Sequence, residues 1–287
     1  MTIDRRNFFK TIGVAGITIA GFQAAKANSP DESEIEFHGV LYDSTQCVGC
    51  QECEIACAKA HDLPEPTEEL QVGVIRKTSE KQRSVVNCYS TSKGDVFVRN
   101  QCMHCNEPAC AAACLTKAMY KTKEGPVIWR GDKCMGCRYC MVSCPFNVPK
   151  FEYHSANPKI VKCDMCYERT MKGEKPVCAE TCQAGALFYG TRRELIAEAR
   201  RRIAASPADY VGEIYGEHVA GGTANLYLSS VDFKEIGLNT ALQNESYPAL
   251  SKGFLYTVPS VFVLLPTLLL GIHEATKSNQ LKNQEND

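Results

Sequence analysis

Sixteen of the seventeen cysteines fall into four quartets, and that spacing leaves the chain few options. The runs are Cys47-x2-Cys50-x2-Cys53-x3-Cys57, Cys102-x2-Cys105-x4-Cys110-x3-Cys114, Cys134-x2-Cys137-x2-Cys140-x3-Cys144 and Cys163-x2-Cys166-x11-Cys178-x3-Cys182. A tight loop that offers a thiolate at every third residue reaches three irons of one [4Fe–4S] cubane. The fourth Cys, one helical turn further on, points away to a second cluster, so each run implies a partner run. Disulfides suit small secreted scaffolds, and a chain of 287 residues is too long to need so many. Tetrahedral zinc pairs two C-x2–4-C units across a longer gap, which the first and third quartets lack. The fourth quartet, taken alone, would also suit zinc.

The first and third quartets match the bacterial ferredoxin run, and Pro145 follows the third. Quartets two and three start 32 residues apart, at Cys102 and Cys134, with strand-like Val127–Trp129 between them. That is the internal repeat of a duplicated cluster-binding fold. Strands are also expected at Gly39–Tyr42, and at Leu70–Lys77 and Asp95–Arg99 inside the long insert from Ala58 to Gln101. Thr191 and Glu194 form a capping box that opens a helix to about Ala205, and Asn225–Ser229 reads as a strand. The Arg200–Arg202 run reads as the solvated face of that helix. Cys88 is left over and reads as a solitary thiol. His104, inside quartet two, reads as a loop residue or a hydrogen-bond donor to sulfur. Arg138 and Lys150 are candidates to offset cluster charge, or solvated side chains.

Net charge is −1, with no basic footprint, so nucleic acid is not an expected partner. That figure counts each Cys as neutral, whereas metal ligands are thiolates. Residues 1–27 hold Arg5, Arg6, Lys10 and Lys26 against Asp4, so their removal takes −1 to −4. Four clusters, each a net 2− with its thiolates, would bring the charge to about −12, which backbone N–H groups and nearby cations must offset.

The N-terminus carries the pair Arg5-Arg6, then Phe8, Phe9 and Lys10, then an apolar stretch from Thr11 to Ala25 and a small-x-small site at Ala25-Lys26-Ala27. This order resembles a twin-arginine export signal cleaved after Ala27; a short membrane anchor or an amphipathic helix is the alternative. Near the other end, Gly253–Ile272 is an uncharged run of 20 residues, long enough as a helix to cross a bilayer, with a buried core helix as the alternative. Lys277 and Lys282 beyond it agree with a cytoplasmic tail. The span holds no histidine for haem.

Four quartets with the third gap widened in the second and fourth resemble the iron–sulfur subunits of bacterial respiratory oxidoreductases. The stretches LYDSTQCVGCQEC (41–53), QCMHC (101–105), GCRYCMVSCPFNVPKF (136–151) and YGTRREL (189–195) narrow the resemblance. With both chain ends, the whole is similar to the membrane-anchored iron–sulfur subunit of hydrogenase-2-type nickel–iron hydrogenases. The resemblance implies four [4Fe–4S] clusters with crossed ligands. Cys47, Cys50, Cys53 and Cys182 would hold the first, and Cys163, Cys166, Cys178 and Cys57 the second. Cys102, Cys105, Cys110 and Cys144 would hold the third, and Cys134, Cys137, Cys140 and Cys114 the fourth. Only Pro145 keeps the proline that often follows the last Cys; Ala58, Leu115 and Gln183 take the other places.

The expected fold is α+β: two ferredoxin-like dicluster halves, a C-terminal extension and a single C-terminal transmembrane helix. The expected segments are a signal at 1–27, the four-cluster domain at 28–190, a capping extension at 191–252, an anchor at 253–272 and a cytoplasmic tail at 273–287. The resemblance implies a non-catalytic electron-transfer subunit, held in the inner membrane with its main domain in the periplasm. Its implied partners are the small and large subunits of a periplasmic hydrogenase, an integral quinone-reactive membrane subunit and the twin-arginine export machinery. A molybdopterin oxidoreductase or a multihaem cytochrome is the alternative partner, and a zinc-stabilised, membrane-tethered binding module the alternative of another class.

Overall fold

Strand β1 (His38–Asp43) is buried from Gly39 to Asp43 in the computed structural model, which describes residues 36–284. The first quartet follows and runs into helix α1 (Glu52–Ala60). The insert then forms an antiparallel hairpin of β2 (Val85–Thr91) and β3 (Gly94–Asn100). Quartet two leads through the one-turn helix α2 (Ala109–Ala112) to a second hairpin, β4 (Met119–Lys121) with β5 (Val127–Trp129). Quartet three repeats the plan: helix α3 (Tyr139–Val142), then β6 (Lys150–Phe151) paired with β7 (Ile160–Val161). Quartet four spans α4 (Tyr167–Thr170) and α5 (Val177–Thr181). The chain goes on through β8 (Leu187–Thr191), α6 (Arg192–Ala205), β9 (Asn225–Leu228) and α7 (Tyr247–Gln284).

β1 is the centre of a three-stranded sheet, antiparallel to β8 and parallel to β9. A strand paired on both edges and covered on both faces reads as a continuous apolar run. Its alternate side chains part company. Leu41 packs with Leu195 and Ala199 of α6 and with Leu226 and Leu228. Val40 and Tyr42 join Val98, Met103, Cys178 and Tyr227 on the face toward the quartets. Gly39 permits the close fit: a Cβ there would lie 1.8 Å from the Ala224 carbonyl oxygen.

Helix packing brings the quartets together in pairs. α1 packs on α5, so quartet one meets quartet four; α2 packs on α3, so quartet two meets quartet three. Residues 191–250 fold with the quartets into one compact unit, Ile35–Leu250. The capping box at the start of α6 is complete: Glu194 N–H donates to the Thr191 hydroxyl and Thr191 N–H to the Glu194 carboxylate.

One sequence expectation needs correction. Leu70–Lys77 is not a strand; it makes a single bridge, Val72 to Cys88. Gly73 sits at φ +79°, which breaks extended backbone, and Val72, Val74 and Ile75 stay exposed. The partner of β3 is β2, which opens at the buried Val85-Val86 pair. Cys88 lies within β2, buried.

α7 contains a segment, Tyr247–Glu274, long and apolar enough to cross a membrane by length and composition. At 1.5 Å per residue its 28 residues extend about 42 Å. Phe254, Phe262, Leu264 and Leu270 on it are exposed, unlike the side chains of a core helix. The expected export signal at 1–27 lies outside the described residues.

Candidate iron–sulfur cluster sites

The loop of each quartet turns on a left-handed residue two places after its first Cys. Gly49 and Gly136 fill this position in quartets one and three, at φ +72° in both, and His104 (φ 48°) and Met165 (φ 60°) fill it in quartets two and four. Three quartets have a second left-handed residue just before the helix: Gln51 in quartet one, Arg138 in quartet three and Cys166 in quartet four. Successive turns of this kind point backbone N–H groups into one concavity, as anion-binding nests do. Met165 N–H accordingly reaches Cys163 Sγ at 3.4 Å; beyond the loops, Met119 N–H at the start of β4 reaches Cys114 Sγ at 3.3 Å. The two glycines are not equivalent. A Cβ at Gly49 would lie 2.5 Å from the Phe97 ring, whereas Gly136 faces open space. Gly136→Ala is therefore expected to cost only about 1 kcal/mol of backbone strain, and Gly49→Ala more, with iron lost selectively from its site. Iron content and visible absorption of the two variants check this.

Four sets of sulfurs come together. Set one, Cys47, Cys50, Cys53 and Cys182, lines one cavity with Tyr42 and Leu187. Set four, Cys114, Cys134, Cys137 and Cys140, lines another with Trp129 and Ile160. Set two, Cys57, Cys163, Cys166 and Cys178, is wholly buried, and the charge of Cys178 and Cys57 is felt at Cys166. In set three, Cys105 senses Cys102, Cys144 and Cys110. The sets also touch one another electrostatically in a row. Cys53 of set one senses Cys178 of set two, Cys163 of set two senses Cys102 of set three, and Cys110 of set three senses Cys140 of set four. Cys50 and Cys137, in the two outer sets, are exposed.

The donor sets fit a cationic iron–sulfur core. Burial, and then the charge of neighbouring thiols, pushes Cys110 and Cys166 up to about 12 and Cys140 up to about 11, and holds Cys163 well above the ordinary thiol range. Cys53 is also pushed up to about 12 by burial, against the nearby charge of Arg99. Crowded thiols without a metal resist ionisation; a core that takes thiolate ligands reverses that balance.

Several residues that spacing did not single out surround these sulfurs. Arg99, 1% exposed, donates to Gln101 and to the Ser84 hydroxyl (3.0 Å). Burial would lower its pKa, but the charges of Cys178, Cys53, Cys163 and Cys57 outweigh this and raise it. Lys162, also buried, places Nζ 3.7 Å from Cys102 Sγ. Lys121 donates to the Cys105 carbonyl at 2.9 Å, and burial brings its pKa down to about 8 against the pull of Cys105 and Cys102. His61 Nε2 stands 3.7 Å from Cys166 Sγ and 3.5 Å from the Asp164 carboxylate. As a metal ligand Cys166 would be a thiolate, and His61 Nε2, placed between it and the Asp164 carboxylate, would then be the hydrogen-bond donor. Arg83 pairs with the other Asp164 oxygen at 2.5 Å. The signal for Lys162 was its place beside Cys163.

The cations that were singled out do less. Arg138 lies over the rings of Phe151 and Tyr153, and half-buried Lys150 donates to the Asn147 carbonyl (2.8 Å), near enough to Cys144 for its charge to be felt. Arg200 pairs with Glu217 and Arg201 with Glu198 on the exposed side of α6, and half-buried Arg202 reaches the buried Asp43 at 2.8 Å. His104 accepts Val127 N–H at Nδ1 (2.9 Å), so its Nε2 carries the hydrogen, buried and without a partner among the described residues.

A family model described as a 4Fe-4S dicluster domain matches residues 95–192. The "Hydrogenase-2 operon protein HybA" of Escherichia coli O157:H7 is 32% identical over 325 residues, covering 99% of this chain and 98% of that protein. The chain belongs to the 4Fe-4S dicluster family. A protein of Nitratidesulfovibrio vulgaris is 41% identical across 97% of the chain and 78% of its own length. The "Formate dehydrogenase, nitrate-inducible, iron-sulfur subunit" of Escherichia coli K12 is 30% identical across 74% of the chain and 71% of its own. Members of this dicluster family are iron–sulfur electron-transfer subunits of respiratory oxidoreductases, and this chain is one of them.

Proposed function

We propose that the chain passes electrons along four [4Fe–4S] clusters, one on each sulfur set, in the order one, two, three, four. The row of electrostatic contacts from Cys53 through Cys178, Cys163, Cys102 and Cys110 to Cys140 carries this reading. When bound, the clusters supply one-electron chemistry; the chain supplies thiolates, backbone N–H groups, cations and exclusion of water. Metal and sulfide analysis of the full-length chain in its complex tests it. The expected result is sixteen irons and sixteen sulfides per chain. Zinc in their place, or iron for two clusters only, overturns it.

The partners follow at one further remove. End-to-end similarity to a protein named for a hydrogenase-2 operon supports a periplasmic nickel–iron hydrogenase at one end of the relay. An integral quinone-reactive subunit then takes the other end, since α7 offers no haem-ligand pair within its apolar run. The formate dehydrogenase subunit, similar over 74% of this chain, supports a molybdopterin enzyme as the second reading. Purification through the chain in mild detergent separates the two: nickel in the complex supports the first, molybdenum the second. The chain is anchored by residues 253–272 and exported by the twin-arginine route. Arg5→Lys with Arg6→Lys is expected to leave the precursor in the cytoplasm, and normal delivery would refute that route.

A further inference from the structure

Three cations are buried among the described residues: Arg76, Arg99 and Lys162. Arg76 is paired with Glu54. Arg99 and Lys162 form no carboxylate ion pair among the described residues; their hydrogen bonds go to neutral acceptors and to sulfur. An unpaired buried charge is expensive unless another charge answers it.

Both stand at junctions of the sulfur row. Arg99 donates to the Ser84 hydroxyl at 3.0 Å, and Ser84 lines one cavity with Cys57 of set two; the charges of Cys178, Cys53, Cys163 and Cys57, from sets one and two, act on the guanidinium. Lys162 faces Cys163 of set two and Cys102 and Cys110 of set three. Its ammonium group bridges the two halves of the fold, 3.7 Å from Cys102 Sγ and 2.7 Å from the Cys163 carbonyl oxygen, with the Val127 carbonyl as a further acceptor. Set four has no buried cation of this kind among the described residues.

We propose that Arg99 and Lys162 are shared potential-setting residues, each raising the midpoint potentials of the two clusters it lies between. The proposal rests on the four-cluster reading above. Reduction adds one electron and no proton at a site, so negative charge grows beside a fixed positive one. Both cations lie out of water, where screening by solvent and salt is weak. Each therefore favours the reduced form on both its sides. Arg99 acts on the first and second stations and Lys162 on the second and third, so the second receives both. These are positioning residues, since neither supplies a ligand.

The test is a redox titration followed by EPR on the full-length chain in its complex, after iron and sulfide have been counted. Dithionite supplies the electrons. Lys162→Met is expected to move two of the four midpoints to more negative values, and Arg99→Met likewise two. One midpoint should respond to both substitutions and one to neither. Lys162→Arg and Arg99→Lys keep the charge and should leave all four near wild type. Unchanged midpoints in the neutral variants overturn the proposal, as does a uniform shift of all four. Should the neutral variants lose iron, the charge-keeping pair decides: full iron with wild-type midpoints supports the proposal, and lost iron or displaced midpoints sinks it. A wild-type chain with fewer than sixteen irons would instead fault the four-cluster reading.

Discussion

Truncating Glu54 to alanine is expected to lower the stability of the Ile35–Leu250 unit by about 3–5 kcal/mol, the usual cost of leaving one member of a buried ion pair alone. Glu54 lies on α1 between Cys53 and Cys57, with 2% of its side chain exposed, and Arg76 comes from the long insert with 7% exposed. The pair is bidentate, at 2.6 and 3.1 Å. Arg76 also donates to the Val86 carbonyl at 2.6 Å, and Val86 N–H donates back to Glu54. Glu54→Ala strands the guanidinium and an amide together. The double variant Glu54→Met with Arg76→Met should lose much less than either single change, because apolar replacement of a whole buried pair is often close to neutral. The urea midpoint for loss of visible cluster absorption measures both. A loss below about 1 kcal/mol in the single variant would mean that the pair behaves as a solvated surface bridge.

The second large effect belongs to Cys163→Ser. Cys163 is buried in set two and is the member that senses set three. On the proposed four-cluster reading, its loss should take iron from sixteen to about twelve per chain, the content of one cubane. In the proposed relay set two is an inner station, so the remaining clusters would be split: set one on one side, sets three and four on the other. Rapid-mixing EPR should then show reduction arriving at one group and stopping. Cys137→Ser is the control. Cys137 is exposed in an outer set, where an oxygen ligand can stand in with solvent at hand, so less iron should be lost. Equal iron loss in the two variants would contradict the inner and outer placement of these sets.

What the sequence disclosed, it disclosed through short-range rules. The cysteine runs, the capping box at Thr191 and Glu194, and strands β1, β3, β5 and β9 all rest on patterns a few residues long. Leu70–Lys77 has the alternation of a strand but no surface to lay it on, and Gly73 interrupts it. The left-handed turns at His104 and Met165 carry no glycine to announce them. Arg99 and Lys162 looked like any basic residue near a cysteine. Their meaning depends on which sulfurs the fold carries to them, and that is settled by helix packing across more than a hundred residues of chain.

The central strand sets a timetable. β1 is made early, yet β8 and β9, which flank it, come from residues 187–191 and 225–228. The cavity beside it likewise awaits Cys182 to complete its ring with Cys47, Cys50 and Cys53. While the ribosome works between these points, the growing chain carries an apolar strand with two open edges and half-built rings of free thiols. Sets three and four have all their cysteines by Cys144, whereas sets one and two wait for Cys182 and Cys178, and a chain interrupted before residue 228 has no way to close its own sheet. The half built on quartets one and four is thereby finished last, together with the strands that close the central sheet.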